Sequence, residues 1–187
     1  MAIYVVLGIA GVLLIYGMGT YNALVRLRQH IRESWSGIDT ELKRRYDLIP
    51  NLVETVRGYA THERETLQAV IDARSRAVAS TGSPEAQAKD ENMLVGALRQ
   101  LFAVVEAYPD LKANKGFVRL QQELTTTENR IQAARRFYNA NVRDLNTRIE
   151  VFPSNIVASL FRFEREEFFQ IDEGERAVPE VRFGGDG

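Results

Sequence analysis

One feature limits the possible folds more than any other: from Ala2 to Val25 no side chain is charged, and "AIYVVLGIAGVLLIYGMG" is apolar or small almost throughout. Wound into a helix, these ~24 residues reach about 36 Å, against a hydrocarbon layer of about 30 Å. A cleaved signal peptide is the rival reading. It needs a basic leader and a small-residue cleavage site, whereas only Met1 and Ala2 precede the run and "GMGTYNA" is a poor site. The segment is therefore expected to be a retained transmembrane anchor over residues 1–25.

Charge bias gives the orientation. No Lys or Arg precedes the segment, and Arg26, Arg28, Arg32, Lys43, Arg44 and Arg45 follow it. The positive-inside rule then puts the N-terminus outside and the rest in the cytoplasm, as a single-pass protein of the bacterial inner membrane. Gly8, Gly11 and Gly19 share a helix face. Small residues let membrane helices approach closely, so this face is a candidate for self-association; glycine is also simply common in such helices.

Beyond the anchor the pattern is helical. Leu24, Leu27, Ile31, Trp35, Ile38 and Leu42 recur at three- and four-residue steps, as do Leu94, Leu98, Leu101 and Val105, and later Phe117, Leu120, Leu124, Thr127 and Ile131. Sustained period-two alternation is absent, so no sheet is expected. Punctuation at "STGSPE" (80–85), "YPDLKANKG" (108–116) and "VFPSN" (151–155) sets helices near 22–47, 50–80, 84–107 and 115–151. The expected fold is all-α: an anchor, then an antiparallel up-and-down four-helix bundle over 26–152, then a membrane-proximal segment and tail over 153–187. Pro50 bears on this division. The apolar phase carries across it, which permits one kinked helix, but a helix from 22 to 80 would run about 88 Å without a partner of that length. The turn is favoured, with Pro50 in the first turn of the second helix, where its missing N–H costs nothing.

Composition excludes several chemistries. The chain lacks Cys, which removes disulfides, thiol catalysis and cysteine metal sites. A net charge of −1 gives no basic field for nucleic acid. His30 and His62 lack the Glu-x-x-His spacing of a di-iron bundle, and "HERE" (62–65) is not H-E-x-x-H. No G-x-S-x-G or Walker A pattern is present. No enzyme activity and no cofactor are expected.

Polar groups nevertheless fall where a core is expected: Arg45, Glu63 and Arg74 in the first two helices, and Glu128, Arg135 and Asn139 within "TTTENRIQAARRFYNANVRDLN" (125–146). Three readings stand: solvated faces, buried polar layers pairing the helices, or a polar surface for self-association. After the bundle, "SNIVASLFRFEREEFF" (154–169) carries Phe161, Phe163, Phe168 and Phe169. With four alternating helices this segment lies at the inner membrane face, against headgroups, against the bundle or against a neighbouring subunit. Exposed together, the four phenylalanines would form an interface patch.

The stretches "YNALVRLRQHIRESWSGIDTELKRRYDLIPNLVETVRGYATHE", "LFAVVEAYPDLKANKGFVRLQQELTTTENRIQAARRFYNANVRDLN" and "FPSNIVASLF" are long and unusual, and they closely resemble the LemA family. The resemblance implies a membrane anchor, a bundle of four antiparallel helices and no established enzymatic activity; relatives are linked to membrane organisation, including magnetosome membranes. The expected role is a non-enzymatic, membrane-anchored scaffold that self-associates and organises membrane or recruits other membrane proteins. The alternative is an accessory or sensor subunit of a membrane protease or signalling system. Expected partners are the lipid bilayer and further copies of the chain.

Overall fold

A computed structural model describes residues 1–171; the glycine-rich tail "AVPEVRFGGDG" lies outside the described residues. The described chain is all-helical. It comprises α1 (Ala2–Arg57), α2 (Arg64–Ala79), α3 (Pro84–Val105), the short α4 (Pro109–Lys112), α5 (Lys115–Glu150) and α6 (Ser154–Leu160).

α1 is one helix of 56 residues with Pro50 inside it, so the turn expected at "DLIP" is not there. The chain breaks instead at residues 58–63. No helix runs from 22 to 80, but the break falls well past Pro50: the stretch of α1 from 22 to 57 is matched by the 36 residues of α5, which runs antiparallel along it. Pro50 removes the N–H that would bond the Tyr46 carbonyl four residues back, and its ring pushes that carbonyl aside. The vacancy is filled from outside the helix: Arg74 Nε on α2 donates to the Tyr46 carbonyl at 2.7 Å. One side chain thus satisfies the orphaned acceptor and ties α2 to α1.

The molecule changes character along α1. Among the described residues, 2–19 are exposed apart from the half-covered Gly17, and α1 is the one described helix that is long and apolar enough to cross a membrane. The far end, beyond about residue 38, is a four-helix arrangement: α1 and α5 pack with the α2–α3 hairpin over one core that includes Leu42, Ile49, Val56, Leu67, Leu94, Leu101 and Ile131. Ser83 caps α3, accepting from the Ala86 amide, with Pro84 in the first turn. Asn114 caps α5, and its Nδ2 donates to the Tyr59 hydroxyl of the α1–α2 loop at 2.9 Å.

Between this end and the anchor, the hairpin stops and a different element takes its place. α6 packs back on α1 and α5 below the hairpin and ends in a Schellman motif. The Phe163 amide bonds the Ala158 carbonyl at 2.9 Å, and Arg162 occupies the left-handed position (φ 53°) where glycine is usual. The chain then turns sharply, and residues 163–171 run extended up the groove between α1 and α5. Glu167 meets the hairpin end on, its carboxylate accepting from the Glu85 amide at the start of α3.

Candidate functional site

Two polar constellations stand out, one at each level of the molecule. The first is a buried ionic node. Arg45 of α1 is 2% exposed, the largest fully buried side chain among the described residues. Its guanidinium pairs with Glu91 of α3, 1% exposed, and with Glu128 of α5 at 2.8 Å. The Tyr46 hydroxyl donates to the other Glu91 oxygen. Burial first, and then the Glu91 charge, push the Tyr46 phenol far above its ordinary range, so it remains a neutral donor. Three helices thus converge on one guanidinium, which faces two carboxylates. Both Glu91 oxygens are engaged and out of solvent, and the node joins side chains of α1, α3 and α5.

The second constellation is a clasp on the extended segment. Asn139 Nδ2 donates to the Phe169 carbonyl at 3.0 Å while its Oδ1 accepts from the Phe169 amide at 2.9 Å. Asn146 repeats the pattern on Glu166, both bonds at 2.9 Å. Each primary amide reads a backbone as a neighbouring strand would. The Tyr138 hydroxyl donates to the Glu167 carbonyl at 2.9 Å, and Arg135 to the Ile171 carbonyl. Burial, followed by the charges of Glu166 and Glu167, pushes the Tyr138 phenol up to about 12. Phe169, fully buried, stands edge-on to the Trp35 ring at 5.2 Å.

The LemA family model matches residues 34–183, from the second half of α1 through the node and the clasp. This chain belongs to the LemA family. Among curated relatives, Protein LemA of Metamycoplasma hominis is 31% identical over 163 residues, 85% of this chain and 73% of the relative. Magnetosome protein MamQ 2 of Paramagnetospirillum magneticum is 27% identical over 175 residues, 80% of this chain. Magnetosome protein MamQ of Magnetospirillum gryphiswaldense is 26% identical over 174 residues. The alignment spans 64% of the length of each MamQ protein.

In this LemA-family structure the polar residues singled out from the sequence do not form one site. Arg45 and Glu128 meet in the node. Arg74 supports Tyr46 from below Pro50. Glu63 accepts from the Tyr108 hydroxyl at 3.1 Å at the far end, a bond that raises the Tyr108 phenol. Arg135 and Asn139 belong to the clasp. Glu91 was missed although it sits three residues before Leu94, in phase with the apolar steps of α3; that phase was the available signal. Among the described residues no three of His, Cys, Asp and Glu gather as metal ligands.

The phenylalanine patch requires correction. Phe163 is buried, beneath the Arg28 guanidinium at 5.1 Å, and Phe169 is buried against Trp35. Phe168 is half-buried, and Phe161 alone of the four is largely exposed. The first three are needed because the anchor-near half lacks the hairpin and uses this segment as its third layer. Gly8, Gly11 and Gly19 lie in the uncovered part of α1, and no atom of another element would lie within 4 Å of a Cβ added at any of them.

Proposed function

We propose that this protein is a non-enzymatic, membrane-anchored helical scaffold that self-associates and organises membrane or recruits other membrane proteins. The observation that carries the reading is the continuity of α1: an apolar segment left exposed by the described residues passes without a break into the buried core. Lipid is the solvent that such a segment requires. The join is a helix rather than a flexible linker, so the bundle is held at a set height along the axis of the anchor. That the MamQ relatives are magnetosome proteins agrees with a membrane-organising role. The open space beside Gly8, Gly11 and Gly19 suits close approach by a second anchor. The basic residues from Arg26 to Arg45 favour an inner-membrane protein with the N-terminus outside and the bundle cytoplasmic.

Two measurements test this. Full-length protein in lipid discs should have the mass of a homo-oligomer; a monomer that is crosslinked in intact cells to a different membrane protein would refute the scaffold and support the accessory-subunit reading. For orientation, Thr61 lies exposed in the α1–α2 loop, and the chain has no native Cys. A Thr61→Cys variant should resist membrane-impermeant thiol reagents until cells are broken, and ready labelling of intact cells would reverse the topology.

A further inference from the structure

α6 has two faces. Val157 and Ala158 are buried against the rest of the fold, whereas Ile156 and Leu160, one turn apart, are 60% and 74% exposed. Phe152, at 79%, and Phe161, at 53%, extend the exposed face at either end. No side chain from Phe152 to Phe161 is charged. A fold that buries Phe163 and Phe169 a few residues later leaves these four outside.

Their height is fixed by a ring contact. Phe161 packs on Tyr21 with centroids 4.6 Å apart. Tyr21 lies on the unbroken α1, near the end of its uncharged run. Counted from Ala2, a hydrocarbon layer of about 30 Å is used up after about 20 residues, at Tyr21 itself. Arg26, the first charge, follows about 7.5 Å further along the axis. The exposed face of α6 therefore sits where acyl chains give way to headgroups.

We propose that α6, with Phe152 and Phe161, is a second lipid contact: a short interfacial foot that dips into the bilayer beside the anchor. This rests on the membrane-anchored reading above and adds to it a partner for this surface, the lipid at the glycerol level. The foot's lack of charge means that it binds through apolar area and does not require anionic lipid. Two contacts at one bilayer face, the anchor and the foot, fix the tilt and the rotation of the bundle, which a single helix leaves free.

The test uses full-length protein reconstituted in phosphatidylcholine bilayers, with single nitroxide labels on the naturally Cys-free chain. Labels go on Ile156→Cys and Leu160→Cys, with Leu13→Cys in the anchor and Phe137→Cys on the exposed face of α5 as references; retained helicity by circular dichroism qualifies each variant. Collision with oxygen reports lipid, and collision with a water-soluble nickel chelate reports water. The foot labels should resemble Leu13, severalfold more accessible to oxygen than to nickel, and added anionic lipid should leave that ratio unchanged. Nickel access at 156 and 160 equal to that at Phe137, with Leu13 still shielded, overturns the foot and leaves the anchor standing. Shielding of the foot from both reagents that is relieved by diluting the protein in lipid means that a second copy covers this face, which also overturns it. Nickel access at Leu13 removes the anchored reading and the foot together.

Discussion

Pro50 and Arg74 offer a direct test of how α1 stays whole. In wild type, the Tyr46 carbonyl has lost its helical donor to Pro50 and takes Arg74 Nε at 2.7 Å instead. Replacing Arg74 by Met keeps much of its stem and removes the donor, leaving a part-buried carbonyl unsatisfied, which costs about 1–3 kcal/mol. Pro50→Ala restores the backbone N–H. An interior proline costs about 3 kcal/mol relative to alanine. Against that, alanine frees the unfolded chain by up to ~1 kcal/mol, and Arg74 already supplies a bond worth about 1 kcal/mol. The single change should thus stabilise by about 1 kcal/mol, a rise of about 2–4 °C in Tm for a chain of this size. In the Pro50→Ala background the carbonyl no longer needs Arg74, so Arg74→Met should cost less than about 0.5 kcal/mol. The coupling between the two positions is then about 0.5–3 kcal/mol, centred above the ~0.5 kcal/mol expected of independent sites. Thermal and urea unfolding of full-length protein at fixed detergent, followed by far-UV circular dichroism, measures all four corners of the cycle. Additive effects would refute the exchange of donors, and a Pro50→Ala protein less stable than wild type would refute the account of the unbroken helix.

The remaining predictions concern the node and the clasp. Arg45→Met strands Glu91 as a buried charge and should cost about 3–5 kcal/mol, while Arg45→Met combined with Glu91→Leu should recover much of that loss in the same unfolding assay. Asn139→Ala and Asn146→Ala each remove two bonds to the extended segment; each should lower its local stability by about 1–3 kcal/mol and speed trypsin cleavage at Arg165, with the far end of the bundle unchanged by hydrogen exchange. Tyr138 has a folded pKa raised to about 12 against an ordinary 10.0, so its neutral form contributes stability that is complete below pH 10 and lost as pH climbs towards 12. Tyr138→Phe should make that alkaline arm of the stability curve shallower, with Tyr46 supplying the rest, and an unaltered arm would show that Tyr138 does not titrate as the structure requires.

Much of the fold was legible because α-helical burial is periodic. Leu24, Ile31, Ile38 and Leu42 announced the buried stripe of α1, and the Ser83–Pro84 pair announced the start of α3. The misplaced break at Pro50 has a physical cause: sequence shows that a carbonyl is orphaned, but not that an arginine 28 residues later will reach it. Arg45 was visible as a charge in an apolar phase. Glu91 carries the same signal, three residues before Leu94 and in the apolar phase of α3, but a lone in-phase glutamate has no partner visible in the sequence to distinguish it from one that faces water. The clasp was the least legible part. Asn139 and Asn146 bind backbone atoms, which carry no sequence signature, and the segment they hold is extended and follows no helical period. Its phenylalanines therefore looked like a surface patch when they are the third layer of the anchor-near half.

That third layer has a consequence for the order of assembly. The α2–α3 hairpin is local in sequence and closes a short loop, so it is the cheap structure to form. Pairing α1 with α5 waits for a long intervening loop to close, and the groove they create stays open towards the membrane until residues 163–171 lie down in it. As the chain is synthesised, Trp35 and Tyr138 are thus left with one ring face uncovered for longer than any residue of the far end. The protein is expected to solidify from its distal tip towards the bilayer, with docking of the extended segment as the closing event. A newly made chain caught before that event would carry an apolar groove about 10–20 Å above the hydrocarbon edge, within reach of whatever else stands on the same membrane face.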